Sequence, residues 1–125
     1  MMRLMLKSKI HGATVVSTNL NYEGSCTLPL SWMNLANILP YEQVTVLNLN
    51  NGERFDTYAI PGGEGEVEIN GAAARLAQPG DRILILTYTW MKELEAEEWQ
   101  PTVVLVGEKN RSVSVVKLKN AFALG

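Results

Sequence analysis

Short runs rich in Val, Ile and Thr alternate along this chain with clusters of Gly, Pro and Asn, a strand-and-turn rhythm. Arg3 to Lys7 and Ala13 to Thr18 read as strands. Gln43 to Leu49 and Arg54 to Ile60 read as a hairpin about Asn50-Asn51-Gly52-Glu53, because Asn and Gly tolerate positive φ. Val67 to Ile69 is a further short strand, and Ile83 to Trp90 is the longest apolar β segment. Thr102 to Val106 and Ser112 to Leu118 form a closing pair around Glu108-Lys109-Asn110. Helix is scarce. Pro29 to Asn37 has Leu30, Met33, Leu35 and Ile38 at roughly helical spacing, with Pro29 suited to the first turn. Ala72-Ala73-Ala74 favours a short helix or a tight corner, and Glu93 to Glu98 a helical turn. Seven or so short strands with little helix predict a mainly β chain, a small barrel or a sandwich.

Composition narrows the class. A length of 125 residues suits one domain, and a hydrophobic fraction of 46% builds a core without disulfides. A net charge of -2 with scattered Lys and Arg gives no footprint for nucleic acid or a membrane surface. No stretch nears the ~20 apolar residues of a membrane span, and Met1 to Lys9 is too short for a signal peptide's apolar core. The single cysteine, Cys26, allows no internal disulfide and reads as a small buried thiol in a cytoplasmic protein.

Few groups remain for chemistry. His11 has no partner at metal-ligand spacing, so a strand-end polar residue accounts for it and no metal is implied. Glu95, Glu97 and Glu98 beside Trp99 read as a solvated face. Gly62-Gly63-Glu64-Gly65 lacks the Lys-Ser/Thr of a phosphate loop. Alternation along the strand puts Arg54 and Tyr58 on one face, a guanidinium and a phenol that could wall a carboxylate site, with Thr57 on the other unless a bulge intervenes. An ordinary hairpin with one exposed face explains the same residues. Tyr22-Glu23-Gly24-Ser25-Cys26 sets a serine hydroxyl after a glycine carbonyl, where it can attack the preceding peptide bond if the backbone bends. Most Gly-Ser pairs do nothing of the kind.

Taken in order, Lys9-Ile10-His11, Tyr22-Glu23-Gly24-Ser25-Cys26, Asn51 to Ile60, Asn70-Gly71-Ala72-Ala73-Ala74 and Pro79-Gly80-Asp81 closely resemble the pyruvoyl-dependent aspartate 1-decarboxylases, from Met1 to about Val106. The resemblance implies a six- to seven-stranded double-psi β-barrel, assembled as a homotetramer with sites between subunits. It implies self-cleavage between Gly24 and Ser25, giving a β chain (1–24) and an α chain (25–125) that begins with a pyruvoyl group made from Ser25. Thr57 would stabilise the oxyanion of that cleavage. Substrate L-aspartate would form a Schiff base with the pyruvoyl ketone, lose CO2 and leave as β-alanine for pantothenate synthesis. By the same resemblance Tyr58 donates the proton, and Arg54 and Lys9 contact carboxylates. Gly71, Ala72 and Ala73 offer backbone to the substrate, with Tyr22, Asn70 and His11 nearby. A maturation factor is an open partner. Leu47 stands where some members have tryptophan, and the tail beyond Val106 diverges. A decarboxylase of another amino acid such as glutamate, and an uncut barrel serving as a binding module, are the alternatives.

Overall fold

The structure is a computed structural model, described here for residues 1–119. Nine strands alternate with two short helices in the order β1 (Met2–Thr14), β2 (Ser17–Asn19), β3 (Ser25–Pro29), α1 (Leu30–Leu35), β4 (Gln43–Asn48), β5 (Arg54–Gly62), β6 (Glu68–Asn70), β7 (Arg82–Lys92), α2 (Glu93–Glu97), β8 (Thr102–Val106) and β9 (Val113–Lys117). A 3-10 turn, Gly71–Leu76, follows β6, and another, Glu108–Asn110, joins β8 to β9. The strands form one sheet ordered β2-β6-β3-β5-β4-β7-β1-β8-β9, curled into a small barrel. Consecutive strands twice flank a third: β3 and β4 enclose β5, and β7 and β8 enclose β1. Those are the crossings a double-psi barrel requires. Among the described residues no helix is long and apolar enough to cross a membrane.

Alternation decides the two faces. Ile83 and Ile85 of β7, Val44 and Val46 of β4, Ile10 of β1 and Cys26 and Leu28 of β3 point inward and are almost wholly buried. Each such aliphatic side chain contributes about 1.5–3 kcal/mol by leaving water. The outward set is mixed, with Leu84 and Leu86 half-buried and Tyr88 and Trp90 exposed.

Two expectations needed correction. Arg3–Lys7 and Ala13–Thr18 are not separate strands: β1 runs unbroken to Thr14 and the chain then breaks at Val15-Val16. Register shifts between Leu6 and Ser8 and between His11 and Ala13 interrupt the period, the second at Gly12 with φ +89°. A bulge inserts one unpaired residue and resets the alternation, so a single bent strand mimics two. The face that α1 turns inward also differs in part. Met33 and Ile38 are buried as their spacing predicts, joined by Trp32 and Ala36, while Leu30 and Leu35 are exposed; Pro29 ends β3 and caps the start of the helix.

A buried polar knot closes the end of the barrel nearest the Pro79-Gly80 turn. Asn48 Nδ2 donates to Asp81 Oδ2 at 2.9 Å and to the Leu76 carbonyl at 3.2 Å, and the Gln78 amide donates to the same Asp81 oxygen at 3.0 Å. Both side chains are nearly inaccessible. Asp81→Ala would strand these buried donors and is expected to lower stability by about 1–3 kcal/mol. Urea unfolding, read as a fall in midpoint at unchanged slope, checks it.

Candidate active site

Position 25 is set by two ladders. Ser25 pairs with Asn70 of β6 in an antiparallel register, while Cys26 and Thr27 pair with Ala59 and Ile60 of β5 in a parallel one. One step back along both strands, Ser25 falls beside Tyr58. Paired residues point to the same side of a sheet, so Ser25, Thr27, Asn70 and Tyr58 share the outer face. Cys26 and Ala59 share the inner one.

Ser25 is nonetheless wholly buried, because the Asn70-Gly71 corner covers it. Its Oγ donates to the Glu23 carbonyl at 3.2 Å and accepts from Asn70 Nδ2 at 3.0 Å. The same amide nitrogen reaches Thr27 Oγ1 at 3.3 Å. Asn70 Oδ1 is buried without a partner, so the acceptor side of this amide is free for an incoming donor. Gly71 takes φ +69°, and a Cβ there would lie 2.5 Å from Gly24 Cα and 2.7 Å from Gly24 N. Only glycine allows that backbone approach. At Gly24 itself φ is not left-handed and a Cβ would meet nothing within 4 Å, so neither crowding nor strain requires glycine there in the uncut chain.

The β4–β5 register contains no bulge, so alternation holds across Arg54, Asp56 and Tyr58 on the outer face. Thr57 faces the core side with Phe55 and Ala59, away from Arg54 and Tyr58. The Asp56 carboxylate is occupied by the Thr45 hydroxyl at 2.6 Å. Arg54 is exposed and has no ion pair among the described residues, which leaves its guanidinium available to an anion. Tyr58 is half-buried, and its hydroxyl makes no hydrogen bond within the described chain.

Leu47 pairs with Arg54 and with Leu84, and Leu84 pairs with His11, so these residues form one outer row. Lys9 sits in the next row. Both Lys9 and His11 therefore lie on the right face. Yet β1 stands four places from β3 in the sheet, about 19 Å along the surface at the usual strand spacing. Among the described residues no hydrogen bond joins Lys9 or His11 to Ser25, and three strands stand between them. His11 is mid-strand rather than at a strand end, and burial, then Lys9 and Arg82, lower its pKa.

Tyr22 is exposed, with its carbonyl beside Gly71; Ala72 lies on the open side of the 3-10 turn, while Ala73 is half-buried and packs against the core. Cys26 faces the core, its thiol pushed up to about 12 by burial, which makes it inert as a nucleophile. Sequence reasoning missed Thr27 and Thr45. The signal was available in the period-two spacing Ser25/Thr27 and Thr45 opposite Asp56.

Gly71→Ala is expected to displace the 22–25 segment and slow chain cleavage at least about tenfold, since a bulky Cβ forces backbone to move; denaturing mass spectrometry over time reads it. A His11 pKa below that of the unfolded chain means the unfolded state binds the extra proton. Stability should therefore fall as pH drops through and below about 6.5. In His11→Gln that slope should flatten in acid-side urea titrations.

The profile of the aspartate decarboxylase family matches residues 1–113. An aspartate 1-decarboxylase of Thermoanaerobacter pseudethanolicus is 55% identical over 117 residues, covering 92% of this chain and all of the relative. One from Maricaulis maris is 53% identical over 116 residues, 90% of this chain and 96% of the relative. One from Heliobacterium modesticaldum is 46% identical over 123 residues, 97% and 93% of the two chains. With Ser25 buried beneath the Asn70-Gly71 corner of a small barrel, and relatives this similar along nearly the full length, this chain belongs to the aspartate decarboxylase family.

Proposed function

We propose that this chain is a cytoplasmic, self-processing L-aspartate α-decarboxylase that makes β-alanine for pantothenate synthesis. The observation that carries the reading is the wholly buried Ser25 hydroxyl, held by Asn70 directly after an unencumbered Gly24.

Processing begins with Ser25. Its Oγ attacks the Gly24 carbonyl carbon, the C–N bond breaks, and the new ester joins Gly24 to the Ser25 side chain. The proton released from Oγ passes to the freed amine. The amide of Asn70, already directed at Oγ, fixes the hydroxyl for attack, and the negative charge develops on the Gly24 carbonyl oxygen. The family resemblance, not the alternation of β5, is what gives Thr57 to that oxygen. Loss of the Ser25 Cα proton then expels the Gly24 carboxylate, and water replaces the nitrogen as ammonia. The fit of a small ketone at position 25 is supported by the Asn70 Nδ2 donor that already points at the Ser25 oxygen and by the Cβ-free backbone of Gly71.

A pyruvoyl group there supplies an electron sink for the substrate amine and the departing CO2, the service a carbonyl cofactor renders. The chain's own residues do the rest. Arg54, unpaired among the described residues and four residues from Tyr58 on the same face of β5, holds the side-chain carboxylate in a bidentate grip. A tight grip on the departing carboxylate would instead favour the ground state. The Tyr58 hydroxyl, without a protein acceptor, is free to give its proton to the substrate carbon. The peptide groups of Gly71, Ala72 and Ala73 approach closely because no large side chain intervenes. Lys9 and His11, remote from Ser25 in the same chain, are supplied by a neighbour in a homotetramer, for which the exposed apolar residues of the outer face (Leu4, Tyr88, Trp90, Leu105) provide the surface.

The test combines fragment masses with product analysis. Wild-type chain should resolve into 1–24 and 25–125 with residue 25 as pyruvoyl, and should release β-alanine from aspartate. Ser25→Ala should stay intact and inactive. Tyr58→Phe should be cleaved yet lose turnover at least about a hundredfold, as loss of a general acid does. Turnover of glutamate alone would overturn the substrate, and a permanently intact chain the enzyme. Cleavage that occurs only after adding cell lysate would assign the step to a maturation factor.

A further inference from the structure

The loop between α1 and β4 is built around a residue in a conformation its side chain resists. Tyr41 takes φ +72°, the left-handed region that bulky residues rarely enter. Strain of this kind persists only where the surroundings over-determine it. Here they do. The Tyr41 amide donates to the Ala59 carbonyl at 2.7 Å, and the Ala59 amide returns a bond to the Glu42 carbonyl at 3.0 Å. From the other side, Lys7 Nζ ties Glu42 Oε2 at 2.5 Å and the Asn37 carbonyl at 2.6 Å, while Glu42 Oε1 accepts from the Leu39 amide at 3.0 Å. The loop is riveted to β1 and to β5 at the residue next to Tyr58.

What the rivets hold is a ring. The Tyr41 and Tyr58 centroids lie 6.1 Å apart at an interplanar angle of 41°, within the range of a favourable tilted aromatic pair. Tyr41 is otherwise 77% exposed, so its side chain serves little core packing. The Tyr58 hydroxyl has no hydrogen bond within the described chain, and the ring of Tyr41 is its aromatic neighbour. We propose that Tyr41 is a positioning residue: its strained, clamped backbone presses an aromatic ring against Tyr58 and fixes the direction of the phenol. This rests on the assignment of Tyr58 as proton donor made above.

Asparagine is at ease at positive φ, so Tyr41→Asn removes the ring and relieves the strain together. Processed enzyme carrying Tyr41→Asn should melt at the same temperature or higher, bind aspartate with KM within about twofold, and lose kcat by about tenfold or more, the scale of a misaligned reacting group. Tyr41→Phe keeps the ring and should retain wild-type kcat. A higher melting temperature with lower kcat and unchanged KM is a combination that a merely structural residue does not give. Wild-type kcat in Tyr41→Asn, with Tyr58→Phe inactive, would overturn the proposal while leaving the function standing. So would equal losses in Tyr41→Phe and Tyr41→Asn, because the ring would then not be the working part. Full turnover in Tyr58→Phe would instead remove the proton-donor assignment, and the positioning role with it.

Discussion

The contact of Gly71 with Gly24 is the constraint on which the site depends. Two backbones meet there at a distance that excludes any Cβ on the Gly71 side. The consequence runs outward in order. Close approach lets Asn70 pair with Ser25 across β3 and β6, which aims its amide at Oγ. That pairing buries a hydroxyl on the barrel's outer face, where the alternation of β3 would otherwise leave it in water. A serine in bulk solvent spends its hydrogen-bonding capacity on water, whereas this one has two fixed protein partners. The neighbouring parallel ladder brings Tyr58 alongside. Arg54 follows four residues away on the same face of β5.

Much of this was legible because strands enforce a period of two. Arg54 and Tyr58 could be assigned to one face and Thr57 to the other from spacing alone, and the unbulged β4–β5 register keeps them there. The hairpin at Asn50-Asn51-Gly52 was legible because Gly52 had to take positive φ, and it does, at +77°. Where the period breaks, the sequence misleads. The two register shifts in β1 made one strand look like two and placed His11 at an end instead of mid-strand. Spacing also found only part of the buried face of α1, Met33 and Ile38 but not Trp32, because a helix of six residues is positioned by its neighbours more than by its own stripe.

Relations between strands are harder to read than faces within one. Nothing local to Asn70 announces Ser25, forty-five residues earlier. Nor does Asn37 to Gln43 look like part of a site, since a tyrosine at positive φ is visible only once the backbone exists. The separation of Lys9 from Ser25 is a topological fact of the same kind. Both side chains occupy the outer face, and β5, β4 and β7 lie between their strands. The proposed site draws on both, so in that proposal assembly and catalysis are coupled through the strand order.

Gly24 is the point at which geometry and chemistry separate. Its surroundings leave room for a Cβ, and its φ is one that other residues adopt. Ground-state packing therefore does not explain a glycine before the attacking serine. The reaction does. As Ser25 Oγ approaches, the Gly24 carbonyl carbon turns from planar to tetrahedral, and the backbone on either side of it must rotate to admit the attack. Glycine makes such a rotation at least cost, because without a Cβ it enters both halves of backbone space freely. The demand for glycine thus falls on the path between two states, one of which is the folded chain seen here. Gly71 fixes where the segment lies, and Gly24 leaves it free to turn.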